Sequence, residues 1–169
     1  MIADRAGVGH LHPDSPRLRP THHAGGGARG SRQGQHEPRS NRMPHILLVE
    51  DHRIVAQAVR ETLEEAGWRV SLCGDGAVAV GKLASEAVYS LLLFDNHLPN
   101  VNGLELARYA RGLTHRKGTP IIMFSASECE RDARLAGANE FLRKPADTGK
   151  IVETVARLLI SRSNFKLSR

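Results

Sequence analysis

The sequence predicts a doubly wound α/β domain, a five-stranded parallel sheet with helices on both faces, and three observations carry that expectation. Short, continuous apolar runs of the kind found in fully buried strands recur between residues 44 and 162. Each is followed by a stretch with helical spacing, so strand and helix alternate five times. Such crossovers return every strand parallel to the last, because right-handed helical connections cover the sheet. Finally, the apolar runs stop abruptly at polar residues, the pattern of strands that end at a crevice.

The first run, His45 to Val49, stops at Glu50 and Asp51. Ile54, Val55, Ala58, Val59, Leu63 and Ala66 then fall at helical spacing, and Gly67 is placed to close that helix. Residues 68–73 form a second strand, and Asp75 is positioned to cap a helix carrying Ala77, Val80, Leu83, Ala84 and Ala87 on one face. The third strand, Leu91-Leu92-Leu93-Phe94, ends at Asp95 before a turn marked by Pro99, Asn100 and Gly103. Leu106, Tyr109, Ala110 and Leu113 mark the third helix. Residues 120–124 make a fourth strand ending at Ser125, and residues 128–136 a short helix broken by Gly137. Residues 139–142 make the fifth strand, closed by Lys144-Pro145. A last helix from about Asp147 buries Ile151, Val152, Val155, Leu158 and Leu159, leaving residues 163–169 as a short tail.

Composition bounds what such a domain can do. A chain of 169 residues, 40% hydrophobic and 25% charged, supports one domain with a real core. No apolar run approaches the roughly 20 residues that cross a bilayer, and no secretory leader pattern opens the chain, so the expected address is the cytoplasm with no membrane partner. Cys73 and Cys129 form no metal-type spacing and read as reduced thiols. The net charge of +6 is concentrated in residues 1–42, where seven arginines face only Asp4, Asp14 and Glu37. The remainder carries 17 basic and 15 acidic residues, so the folded surface lacks the basic face expected of a nucleic-acid reader.

Residues 1–43 are read as a disordered basic tail, since so few large apolar residues cannot offset the entropy of ordering. An equal alternative takes Met43 as the true start of translation. The tail histidines, His10, His12, His22, His23 and His36, fit no metal-ligand template and read as solvated side chains.

In this fold the strand ends lie side by side, so Glu50, Asp51, Asp95, Ser125 and Lys144 are expected to converge. Each alone reads as a cap or turn residue. Together they place three carboxylates in one crevice, which repel unless a cation sits among them. A set of hard oxygen ligands without a histidine or cysteine cluster points to Mg²⁺. A lysine and a hydroxyl beside that metal suit a phosphoryl group.

The segments Ile46-Leu47-Leu48-Val49-Glu50-Asp51, Asp95 to Gly103, Phe124-Ser125-Ala126 and Gly137 to Pro145 resemble the receiver domain of two-component response regulators across residues 44–162. The resemblance implies a flavodoxin-like fold with strand order 2-1-3-4-5. It implies Asp95 as phosphoacceptor and Asp51 as a direct Mg²⁺ ligand beside it, with Glu50 acting through water and the His97 backbone carbonyl completing the set. Ser125 would bond the phosphoryl oxygen, Lys144 would pair with the Asp95 phosphate, and Phe141 would rotate with Ser125 as a switch. The small Ala126 leaves the phosphoryl path open. The implied partners are a sensor histidine kinase or histidine phosphotransfer protein as donor and an unknown protein downstream, with no output domain attached.

Two positions depart from the family pattern. Leu98 replaces the commoner methionine at nearly equal volume. Ser125 and Lys144 are only 19 residues apart, which implies a shortened fourth helix and an altered output face. Two rival readings are an aspartyl-phosphate hydrolase using Asp95 as nucleophile, which would want an aspartate where His97 stands, and a nucleic-acid-binding protein working through the arginine-rich tail.

Overall fold

The computed structural model describes residues 43–167, with side chains described through residue 162. The expected tail and its histidines lie outside the described residues. The elements run in order β1 (His45–Val49), α1 (Arg53–Glu65), β2 (Arg69–Cys73), α2 (Gly76–Ala84), β3 (Leu91–Phe94), α3 (Gly103–Gly112), β4 (Ile121–Ser125), α4 (Glu130–Leu135), β5 (Glu140–Arg143) and α5 (Ile151–Leu167). A 3-10 turn, Thr148–Lys150, leads into α5. All strand pairs are parallel, in the order β2-β1-β3-β4-β5 expected from the sequence.

The unbroken apolar strands have a simple cause, because both of their faces are buried. Ile46 and Leu48 of β1, Leu91 and Leu93 of β3, and Ile122 and Phe124 of β4 face α1 and α5, where Val59, Leu63, Ile151 and Val155 cover them. Leu47, Val49, Leu92, Phe94, Ile121 and Met123 point the other way, against Ala79 and Leu83 of α2, Leu106, Ala107 and Ala110 of α3, and Ala133 of α4. A one-residue slip of any central strand would exchange the two sets. On the α2, α3 and α4 side the contact includes four alanines, whereas α1 and α5 cover the other face with larger side chains.

The helix phases differ from the sequence reading. The buried stripe of α1 is Ala56, Val59 and Leu63, while Ile54 is 77% exposed and Ala58 and Ala66 face solvent. In α2 the buried residues are Gly76, Ala79 and Leu83, so Ala77 and Ala84 lie outside, as does Ala87 beyond the helix. Tyr109 is likewise exposed on α3. Alanine is compatible with either face, so its spacing assigns none. The fourth helix is indeed short, six residues, two short of the expected start at 128. Beyond residue 162, α5 continues through Leu167 where a tail was expected.

Local chemistry closes each connection. Asp75 caps α2, accepting from the Ala77 and Val78 amides at 2.7 and 3.1 Å, and its other oxygen receives Asn100 Nδ2 at 2.6 Å. Asn100 adopts φ +67°, a conformation asparagine tolerates, so one aspartate fastens the α2 start to the loop after β3. Asn102 and Glu105 form a reciprocal capping box at the start of α3. At the far end of α3, Arg111 spends its guanidinium donors on the carbonyls of Gly137, Lys117 and Thr119 and on Asn139 Oδ1, tying α3 to the α4–β5 turn. Among the described residues, no helix is long and apolar enough to cross a membrane.

Candidate functional site

The carboxyl ends of β1, β3, β4 and β5 bring together the residues the sequence singled out. Glu50 and Asp95 are buried, at 3% and 7% exposure, whereas Asp51 is exposed at the mouth of the crevice. One oxygen from each of the three carboxylates lies within 4.8 Å of the others. Lys144 reaches between the two buried ones, with Nζ 2.5 Å from Glu50 Oε2 and 2.9 Å from Asp95 Oδ2. Its ammonium also stands 5.0 Å from the centre of the Phe124 ring, a favourable cation–π placement. The Lys144 amide donates to the Ser125 carbonyl at 3.0 Å, extending the β4–β5 ladder to the rim of the site.

Asp95 is positioned by its own loop. Its amide donates to the Val49 carbonyl at 2.9 Å, and Oδ1 accepts from the Asn96 amide at 2.6 Å. The chain then folds back so tightly that the Asn96 carbonyl receives both the Leu98 and Gly103 amides. A Cβ on Gly103 would stand 2.1 Å from the Asp95 carbonyl oxygen, so only glycine allows α3 to start there. This accounts for the Asn-Gly signal that follows the third strand in the sequence. His97 is exposed on this loop.

The electrostatics follow from the burial. Loss of solvent pushes the Glu50 carboxyl above the usual carboxylate range; the hydrogen bond and charge of Lys144 oppose the rise, and the Asp95 charge adds to it. The His52 amide also reaches Glu50, donating to Oε1 at 3.2 Å. Two buried acids and one exposed acid against a single lysine leave an excess of negative charge that a hard divalent cation would relieve. The donor set is all oxygen, which fits Mg²⁺; Glu50, Asp51 and Asp95 are the side chains that would hold it.

Ser125 is fully buried at the end of β4, and the hydrogen-bond contacts of its hydroxyl are with Ser127 and not with Asp95. Ser125 Oγ lies 2.9 Å from Ser127 Oγ and accepts from the Ser127 amide at 3.3 Å. Phe141 is buried in the core against the α3 and α4 side of the sheet. The sequence reading missed Ser127, which lies in the bend after β4, where no strand or helix period gives a signal.

A hydroxyl–imidazole pair lies at the opposite end of the sheet and has the wrong polarity for nucleophilic catalysis. His45 Nε2 is 2.8 Å from Ser71 Oγ, but Nδ1 faces Arg69 Nη2 at 2.9 Å. Since guanidinium only donates, Nδ1 is the acceptor and Nε2 carries the proton toward the serine. Burial and the Arg69 charge hold the ring pKa below its ordinary value, which keeps it neutral.

A doubly wound domain with an acidic cluster, a lysine and a buried hydroxyl at its strand ends has the architecture of a signalling receiver. The chain belongs to the response regulator receiver domain family, whose model matches residues 46–156. It is 33% identical over 125 residues to the sensory/regulatory protein RpfC of Xanthomonas campestris pv. campestris, a match covering 71% of this chain and 17% of that protein. It is 32% identical over 120 residues to the response regulator ArlR of Staphylococcus epidermidis, covering 69% and 53%. The chain thus spans about half the length of these curated relatives, or less. Among solved structures, the receiver domain of the sensor histidine kinase PA1611 from Pseudomonas aeruginosa matches with a TM-score of 0.64 at 28% identity, covering 70% of this chain and 98% of that one. That structure has a magnesium ion coordinated in its active site cleft. The chemotaxis response regulator CheY4 of Vibrio cholerae matches with a TM-score of 0.64 at 29% identity, covering 69% and 99%.

Proposed function

We propose that this chain is a phosphoacceptor in a two-component phosphorelay, taking a phosphoryl group on Asp95 from a phosphohistidine in a sensor kinase or phosphotransfer protein. The observation that carries this reading is the placement of Asp95. It is a buried carboxylate at a strand end, with one oxygen held by the Asn96 amide and the other paired to Lys144, while Glu50 and Asp51 lie within metal-bridging distance. Bound Mg²⁺ would supply charge neutralisation for the incoming phosphoryl oxygens. The Asn96 amide fixes Oδ1, leaving the Asp95 side chain one orientation in which to attack. Lys144 lies where an acyl phosphate on Asp95 would need a counter-charge, and Glu50 keeps its ammonium at that depth. Ser125, buried at the end of the neighbouring strand, would supply a hydrogen bond to a phosphoryl oxygen on Asp95.

Receivers occur both alone and inside longer regulators, and the relatives here include proteins much longer than this chain. In our reading the phosphoryl signal leaves through a protein partner at a surface altered by Ser125 and Phe141, and the reaction takes place in the cytoplasm, where phosphohistidine donors are made. The short α4, Glu130–Leu135, makes that surface different in outline from one built on a longer helix.

The test is incubation with acetyl phosphate and Mg²⁺ followed by intact mass. One added phosphoryl group on the wild type and none on Asp95→Asn is the expected result. Equal labelling of both proteins, or no labelling of the wild type, would refute the proposal. The same mixture supplied with free phosphate monoesters should show no sustained turnover, which separates a phosphoacceptor from an aspartyl-phosphate hydrolase.

A further inference from the structure

We propose that Ser127 is a positioning residue that holds the Ser125 hydroxyl away from Asp95 in the unphosphorylated chain, and so sets how readily the site closes on a phosphoryl group. The inference rests on the receiver reading given above and adds to it a residue with no other assigned role. Ser125 is wholly buried, and its Oγ has both of its hydrogen-bonding contacts on one residue: Ser127 Oγ at 2.9 Å and the Ser127 amide at 3.3 Å. Ser127 is held in turn from two sides. Asn96 Nδ2 donates to its Oγ at 3.5 Å, and Cys129 Sγ lies 3.5 Å away on the approach to α4. The Asp95 oxygens are meanwhile served by the Asn96 amide and Lys144.

A buried hydroxyl that must turn toward a new acceptor has to leave its present partners first. Ser125 can therefore meet a phosphoryl oxygen only by releasing Ser127, and Ser127 opposes the change by the strength of one neutral hydroxyl contact and one amide contact. Asn96 contributes to both ends of this arrangement. Its amide orients Asp95 and its side chain orients Ser127, so the loop that prepares the acceptor also restrains the hydroxyl. The element is a two-state hydrogen bond whose balance a phosphoryl group would tip.

The test compares wild type, Ser127→Ala, Ser127→Thr, Ser125→Ala and the Ser125→Ala/Ser127→Ala double variant in two measurements. The first is amide hydrogen exchange at position 127 in the metal-free, unphosphorylated protein, because that amide is protected only while Ser125 accepts from it. The second is the rate of labelling by acetyl phosphate with Mg²⁺, read by intact mass. Ser127→Ala is expected to raise both rates about two- to tenfold, the range one neutral hydrogen bond commands. Ser127→Thr, which keeps the hydroxyl, should return both to wild-type values. In the Ser125→Ala background, Ser127→Ala should change neither rate, because its effect runs through Ser125. Unchanged or slower labelling of Ser127→Ala, or the same acceleration without Ser125, overturns the positioning role while leaving the receiver reading intact. A wild type that takes no label overturns both.

Discussion

Replacing Gly103 with alanine tests whether the Asp95 geometry depends on the close return of the chain after β3. The added Cβ would lie 2.1 Å from the Asp95 carbonyl oxygen, 2.8 Å from its carbon and 3.0 Å from Asn96 Cα. Ordinary contact begins at 3.4 Å, so either the start of α3 or the Asp95–Asn96 backbone must move by about 1.3 Å. The clashing atoms are all backbone, and none can rotate away. Forcing such an overlap in a packed region costs about 1–3 kcal/mol of stability. A displacement of about 1 Å at a reacting group costs roughly a hundredfold in rate. Gly103→Ala should therefore lower the urea midpoint and slow labelling by acetyl phosphate far more than the lost stability explains. Gly81→Ala, in the interior of α2, is the matched control. Its Cβ meets nothing within 4 Å, and the change should stabilise the protein by about 0.5–1 kcal/mol with labelling unaltered. Wild-type labelling and an unchanged urea midpoint in Gly103→Ala would refute the argument that this glycine sets the Asp95 position.

Three further outcomes follow from the charges. A Glu50 carboxyl whose pKa is raised on folding contributes stability that is full below its unfolded value of 4.5 and is lost as the pH climbs through the raised value. Lys144→Met removes the main opposing influence, so urea midpoints measured from pH 4 to 8 should fall more steeply with rising pH than those of the wild type; parallel curves would refute this. Mg²⁺ should raise the thermal midpoint of the wild type at neutral pH, less as the pH is lowered and Glu50, its carboxyl raised by burial, takes up a proton, and little in Asp51→Asn; an equal rise in that variant would remove Asp51 from the ligand set. Arg111→Ala strands the carbonyls of Gly137 and Thr119 and should cost at least about 2 kcal/mol in urea unfolding, and Arg111→Lys should not recover it, because an ammonium cannot reproduce the planar fork.

The parts of this molecule that could be read from its sequence are those set by composition over a short window. Leu91-Leu92-Leu93-Phe94 had to be a strand buried on both faces, and Asp95 at its end had to face the crevice, because any other placement buries a carboxylate among leucines. Lys144 could be brought to Asp95 only after the strand order was assumed, since no local pattern links residues on β3 and β5. Helix phase was less legible where alanine alternates with valine, as in α2, because alanine fits a core and a surface equally well. Ser127 and Arg111 were the least accessible. The role of Ser127 depends on the path of the β4–α4 loop, and Arg111 reads as a surface charge on a helix until the turn 26 residues away is seen to present its carbonyl.

The pairing of Lys144 with Glu50 joins residues 94 apart, from the first strand to the end of the last. Two of the three strand ends that carry the charge cluster are synthesised before Lys144, its ammonium. During translation, then, Glu50 and Asp95 exist as acids without their counter-ion, on a sheet that still lacks an edge. The Lys144 contacts with Glu50 and Asp95 form only when β5 docks beside β4, so the last strand of the sheet carries the counter-ion of the first and third.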